Sequence, residues 1–216
     1  MRLNKTIASR LGISRRAADK LIVGGSVKIG SKKANLTDTI TDLSQITVNG
    51  DLLPKEKDNI LVLLNKPVGY VCSHAGQGNK TIFDLIPASF KHLNPVGRLD
   101  KDSSGLLLLT NDGDLHYELT HPSYEKTKIY KVMLDKSLSA IDKNMLDRGV
   151  MLDDGVSRLQ VSIDQAKVIV KMHEGRNRQI RRTFAELGYK VKSLHRVSFG
   201  PYKLGDLNIG DYSIIK

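Results

Sequence analysis

The stretch Gly97-Arg98-Leu99-Asp100-Lys101-Asp102-Ser103-Ser104-Gly105-Leu106-Leu107-Leu108-Leu109-Thr110 constrains the fold of this chain more than any other segment. A polar loop ends at Gly105 and runs straight into an apolar strand, which fixes two carboxylates at a strand mouth beside a hydrophobic core. Asp100, Asp102, Ser104 and Gly105 imitate the opening of a calcium loop. The twelfth position of such a loop would be Asn111 instead of a bidentate Glu, and its seventh to ninth would be Leu106 to Leu108. Metal binding is rejected on that ground. By composition alone the segment reads equally well as a capped turn before a buried strand.

Further strands are expected at Ile60–Leu64, Ile129–Leu134, Lys167–Met172 and Ser193–Val197, and helices at Phe83–Ile86, Asp114–Thr120, Ser139–Arg148 and Gln179–Leu187. Many strands in mixed order with short helices predict an α+β domain on a mainly antiparallel sheet. A smaller helix–helix–strand unit precedes it. Leu3, Ile7 and Leu11 fall on one helix face and Gly12 ends that helix. Ser14 is a good N-cap for a second helix over Arg15–Val23, closed by Gly24-Gly25. A strand at Ser26–Ile29, a turn over Gly30–Lys33, and a strand near Ile46–Val48 with an Asn49-Gly50 turn complete it. Pro54–Asp58 is polar, charged and aperiodic, so the expected division is a domain over 1–53, a linker over 54–58 and a domain over 59–216.

The formal net charge is +11 and it is unevenly placed. Residues 1–33 carry nine basic residues against Asp19 alone, and Lys171–Arg196 carries eight against Glu174 and Glu186. Such a balance implies an anionic partner, nucleic acid first, held at two footprints. Arg15 and Arg16 open a helix where the dipole disfavours cations, so phosphate would compensate them; a solvated face is the plainer alternative. An Arg-rich opening also describes organelle transit peptides, but the apolar helical spacing favours a folded unit and a cytoplasmic protein. No apolar run is long enough for a membrane helix. Cys72 is the one cysteine, and His74, His116, His121 and His173 are scattered without ligand spacing. With no phosphate loop or dinucleotide fingerprint either, neither metal nor cofactor is expected.

The opening "MRLNKTIASRLGISRRAADKLIVGGSVKIGSKK" resembles the alpha-L RNA-binding domain shared by a small-subunit ribosomal protein and several RNA-modifying enzymes. Leu3-Asn4-Lys5, Ser14-Arg15-Arg16 and Val27/Gly30 carry that likeness. "GRLDKDSSGLLLLT" resembles the central motif of the pseudouridine synthases. Leu64–Ser73 ("LNKPVGYVCS"), Lys128–Val132 ("KIYKV") and Glu174–Val191 ("EGRNRQIRRTFAELGYKV") resemble the family's other motifs, in the same order. The match points to the ribosomal RNA subfamily of small-subunit and single-site large-subunit enzymes. "EGRNRQIRR" and "LHRVSFGPYKL" look nearer the large-subunit members, which are favoured, and "LNKPVGYVCS" nearer the small-subunit enzyme.

The resemblance implies isomerisation of uridine to pseudouridine in ribosomal RNA. That reaction breaks the N1–C1′ bond, turns the base and joins C5 to C1′, with no net redox change, cofactor or metal. One carboxylate suits it, because C1′ becomes electron-poor as in glycosidases, while a second, hydrolytic carboxylate would release the uracil. By resemblance Asp100 attacks C1′ or removes the C2′ proton, and Tyr130 lies against the uracil. Arg181 pairs with Asp100, and Ile180 packs beside Tyr130. Arg98 fills the space left by a flipped base, and Lys66 shapes the pocket floor. Tyr130 could instead be an ordinary strand aromatic, and Arg98 a structural partner of Asp102 or Asp114. Arg176, Arg178 and Arg182 are read as phosphate contacts or surface charge, and Lys5, Arg15 and Arg16 as RNA contacts of the small domain. A monomer is the default, with no obligate protein partner and no membrane association. The rival readings are a catalytically silent RNA-binding or ribosome-assembly factor and, more weakly, a hydrolytic nucleosidase.

Overall fold

A computed structural model describes residues 2–40, 42–55, 58–164 and 167–215. Glu56 and Lys57, in the middle of the expected linker, lie outside the described residues. The chain divides into two compact units, Met1–Ile60 with Asn111–Gly113, and Leu61–Thr110 with Asp114–Lys216.

In the small unit, α1 spans Leu3–Leu11 and stops where Gly12 turns left-handed at φ 67. Helix α2 covers Arg15–Val23, and the Ser14 hydroxyl accepts from the Ala17 amide at 3.1 Å, satisfying one of the orphan donors of its first turn. Strands β1 (Val27–Ile29), β2 (Lys32–Lys33), β3 (Ile46–Val48) and β4 (Asp51–Leu52) form an antiparallel sheet in the order β2-β1-β3-β4. Lys32 and Lys33, expected in a turn, pair with Ile29 and Lys28. Asn49 and Gly50 both take positive φ, the conformation a two-residue hairpin needs. Leu3 and Ile7 are buried against Ala18, Ile22, Val27 and Ile46, so the apolar stripe of α1 closes one core with the sheet. The unit extends to Ile60 because Asn111 binds that segment at two points. Its Oδ1 accepts from the Ile60 amide at 2.7 Å, and its Nδ2 donates to the Asp58 carbonyl at 2.9 Å.

The large unit follows with β5 (Leu61–Lys66), β6 (Asn94–Val96), β7 (Ser104–Thr110), α3 (Gly113–Thr120), β8 (Lys128–Leu134), α4 (Ala140–Arg148), β9 (Val150–Leu152) and β10 (Gly155–Ser157). Then come β11 (Gln160–Asp164), β12 (Lys167–Met172), α5 (Gln179–Glu186), β13 (Val191–Phe199), β14 (Tyr202–Lys203) and β15 (Tyr212–Ile215). The main sheet runs β11-β12-β8-β13-β7-β5-β15, with β6 on β7 and β14 on β13, while β9 and β10 form a separate hairpin. Leu61–Leu64 of β5 and the leucines of β7 are buried throughout, which accounts for their unbroken apolar runs. The helix expected at Phe83–Ile86 is only a 3-10 turn at Ile82–Asp84, held by a Thr81–Asp84 capping box.

One junction places the polar loop. All pairings of the main sheet are antiparallel except β13 with β7, which meet in parallel at His195 opposite Ser104 and Arg196 opposite Gly105. Gly105 has φ 103, and a Cβ there would stand 2.2 Å from the Arg196 carbonyl oxygen. Only glycine lets the two backbones approach this closely. The glycine that ends the motif therefore also brings Asp100 and Asp102 beside β13 and α5.

Candidate active site

A cleft of ≈ 680 Å³ lies in the large unit at the mouth of β7. Arg98 and Asp100 reach it from the loop, Tyr130 from β8, Ile180 from the first turn of α5, and Arg196 from β13.

The loop is pinned from beneath. Lys66, the last residue of β5, is fully buried, and its ammonium donates to the carbonyls of Ser103 at 2.7 Å, Pro67 at 3.0 Å and Asp100 at 3.1 Å. Burial lowers its pKa, and the neighbouring Cys72, Asp100 and Asp102 oppose that shift. Lys66 was expected on the pocket floor as an RNA contact. It is not among the residues lining the cleft and lies behind the loop, where three converging carbonyls solvate its charge. Cys72 adds a second tie, donating to the Leu99 carbonyl at 3.3 Å and accepting from the Leu99 amide at 3.5 Å. Burial pushes its thiol pKa up, which suits a donor rather than a nucleophile.

The two carboxylates have different surroundings. Asp102 receives a bidentate pair from Arg178, with both bonds at 2.9 Å. That bonding, aided by the charge of Arg181, holds its pKa below the usual carboxylate value. Asp100 is about one third exposed and lines the cleft, and its nearest cation in an ion pair is Arg178 Nη1 at 3.7 Å. The expected pairing of Arg181 with Asp100 is corrected by this arrangement. Arg181 donates to the carbonyls of Asp102 at 2.8 Å and Val191 at 3.1 Å, and its Nε stands 3.3 Å from the Asp102 carboxylate. Two carbonyls thus take hydrogen bonds from the guanidinium, and its Nε, which meets no hydrogen-bond partner, faces Asp102 as a charge contact. Arg178, read from the sequence as a phosphate contact or surface charge, is held left-handed at φ 47 just before α5 and faces both carboxylates.

Arg176 and Arg182 are also engaged within the fold. Arg176 binds the carbonyls of Asp154, Gly155 and Val156 and the Asp154 carboxylate, while Arg182 pairs with Asp153 and Asp154. They clasp the β9–β10 hairpin to the start of α5. Much of the basic cluster near Lys171–Arg196 thus neutralises the protein's own acids and carbonyls.

Tyr130 is 8 % exposed and sits in register between Val170 of β12 and Arg196 of β13. Ile180 lines the same cleft and is buried at 4 %. Arg98 is exposed and lines the cleft. Lys5, half-buried on α1, and Arg15 and Arg16, exposed at the start of α2, belong to the small unit and not to this cleft.

Arg196 was counted in the sequence only as charge. It is 2 % exposed, lines the cleft, and donates from Nε to the Leu106 carbonyl at 2.7 Å. The available signal was strand parity: Arg196 shares the buried face of β13 with Leu194 and Ser198.

Residues 60–186 match the family model described as RNA pseudouridylate synthase. The chain is 36% identical to the ribosomal large subunit pseudouridine synthase B of Bacillus subtilis 168, across 97% of this chain and 90% of that protein. It is 35% identical to the dual-specificity RNA pseudouridine synthase RluF of Escherichia coli K12, across 98% of this chain and 74% of the relative. A crystal structure of a pseudouridylate synthase superposes with a TM-score of 0.72 at 31% identity, covering 100% of this chain and 96% of the other.

Proposed function

Because the chain belongs to the RNA pseudouridylate synthase family, we propose that it isomerises a specific uridine of ribosomal RNA, in the large subunit, with Asp100 as the reacting carboxylate. Isomerisation of uridine to pseudouridine in RNA is the activity of the family; the choice of RNA and the residue roles are our reading. The observation that carries it is the division of labour between the two loop carboxylates. Asp102 is engaged by Arg178 and Arg181, whereas Asp100 lines the cleft with Tyr130 and Ile180 and its closest ionic contact is 3.7 Å away. A carboxylate without tight hydrogen bonds from a cation keeps its lone pairs for C1′ or for the C2′ proton.

In this reading the target nucleotide turns out of its stack, at a cost of a few kcal/mol, and its uracil enters between Tyr130 and Ile180. Arg98 fills the vacated place. The small unit, through Lys5, Arg15 and Arg16, serves as an RNA-binding domain of the alpha-L type. The protein acts as a cytoplasmic monomer and uses neither metal nor cofactor. The large-subunit choice is supported by the likeness to the Bacillus subtilis ribosomal large subunit pseudouridine synthase B.

The test is a map of pseudouridines in ribosomal RNA from cells lacking the protein, complemented with wild type or Asp100→Ala. One site should disappear and return only with wild type. An unchanged map would leave the chain a silent RNA-binding factor. Loss of a small-subunit site would overturn the large-subunit assignment alone.

A further inference from the structure

Arg196 is a buried cation that the fold supplies with too few acceptors. Nε binds the Leu106 carbonyl at 2.7 Å, but Nη2 is buried and meets no hydrogen-bond partner. No carboxylate forms an ion pair with Arg196 among the described residues. The Phe199 ring is centred 5.0 Å from Cζ, and Lys128 Nζ stands 5.3 Å from the same ring. Lys128 differs in kind, because its ammonium reaches the carbonyls of His173 and Glu174 at 3.1 and 3.3 Å. A buried guanidinium without a carboxylate is costly to desolvate and persists where a ligand supplies the missing acceptor.

The sheet register says which ligand atoms come near. Arg196 is the cross-strand partner of Tyr130, and residues so paired project side by side on one sheet face. Both line the same cleft as Asp100. On the reading above, the uracil lies against Tyr130, and its edge then comes within reach of Arg196. When N1–C1′ breaks, the bond's electron pair stays on the uracil, and the negative charge spreads from N1 to O2 and O4. C5 then gives a pair to C1′, the C5 proton leaves and N1 takes one up, so no atom is gained or lost. Between those events the enzyme holds an anionic base that must not escape.

We infer that Arg196 is the uracil-binding cation of the cleft, donating from its guanidinium to a uracil carbonyl and stabilising the negative charge as the glycosidic bond opens. The inference rests on the proposed function and assigns to Arg196 what Asp100 and Tyr130 do not provide. A donor aimed at developing charge in a water-poor site contributes more to the transition state than to binding.

The experiment is a cycle between protein and substrate atoms on the full chain. Wild type, Arg196→Lys and Arg196→Met act in single turnover on RNA carrying uridine, 2-thiouridine or 4-thiouridine at the mapped site, and RNA affinity and thermal unfolding are followed in parallel. Arg196→Met should lower the rate on uridine by about 10- to 100-fold with RNA affinity within a few-fold, and Arg196→Lys should recover part of it. The loss should shrink on whichever thio substrate removes the contacted acceptor. An equal loss on all three substrates, or a loss that appears only as weaker, salt-sensitive RNA binding, overturns the inference. If the variants do not fold, a crystal structure of wild type with product RNA decides it: a guanidinium nitrogen within hydrogen-bonding reach of O2 or O4 supports the role, and its absence overturns it. Failure of wild type to form pseudouridine would instead sink the proposed function.

Discussion

Lys66 donates to the backbone carbonyl of Asp100 at 3.1 Å, so the cation that fastens the loop is one hydrogen bond from the main chain of the residue whose carboxylate lines the cleft. The bond goes to the backbone and leaves the Asp100 carboxylate to the cleft. A buried ammonium with three carbonyl acceptors fixes where the Asp100 main chain sits, while Arg178 at 3.7 Å supplies an opposing charge without a tight contact. The main chain of Asp100 and the charge beside its carboxylate are thus set by different groups.

Replacement of Lys66 by Met keeps the volume and removes the charge. Three carbonyls in a buried setting would lose their shared donor, at a cost of about 3 kcal/mol in unfolding free energy. Urea unfolding of Lys66→Met against wild type measures that loss. Single-turnover rates should fall further than RNA affinity, since the loop that carries Asp100 is loosened while the surface is unchanged. A variant as stable and as fast as wild type would show that the loop does not depend on this ammonium.

Gly105→Ala should be among the most damaging single changes in the chain. The added methyl would sit 2.2 Å from the Arg196 carbonyl oxygen at a φ of 103, so both steric overlap and backbone strain act at once. The expected destabilisation is about 4 kcal/mol or more, with much of the protein recovered insoluble. Soluble Gly105→Ala with a wild-type melting temperature would mean that β7 and β13 can separate there at little cost.

The loop at Asp100 was legible because a polar run switches to buried leucines at a glycine, and such a switch fixes a strand mouth whatever surrounds it. The core strands and the helices of both units were legible for the same kind of reason, namely local periodicity. The partner of Arg181 was not legible. Arg178 and Arg181 lie one helical turn apart and Asp100 and Asp102 two residues apart, and which meets which depends on where α5 begins and on the left-handed backbone of Arg178. Arg176 and Arg182 read as phosphate contacts or surface charge because the β9–β10 hairpin that binds them has short strands and an Asp153-Asp154 tip that reads as ordinary surface. Charge counted along a sequence does not distinguish cations held by the fold from cations offered to a ligand.

The Asp102–arginine cluster should give stability a distinct acid dependence. Its carboxylate has a folded pKa below the unfolded value, chiefly through the hydrogen bonds from Arg178. A depressed carboxylate contributes stability that is present above the unfolded pKa and is lost as pH falls through the folded one. The melting-temperature gap between wild type and Asp102→Asn should therefore be full above pH ~4 and narrow as the solution is acidified below that value. The carboxylate is about half exposed, so the gap should be modest and should shrink with added salt. A gap that is constant from neutral to acid pH would assign the effect of the substitution to packing.

The small unit makes the last prediction. Arg15 and Arg16 are exposed at the first turn of α2, the end of a helix where cations are disfavoured and phosphate is attracted. If each contacts a phosphate of the bound RNA, replacing both with Ala removes two released counterions on binding. The slope of log affinity against log salt should then become shallower by about 1.5, with little change in the single-turnover rate at saturating enzyme. Filter binding of the full chain to a ribosomal RNA fragment over a salt series measures the slope. An unchanged slope would mean that these two arginines are solvated surface, and the RNA contacts of the small unit would have to be sought elsewhere on it.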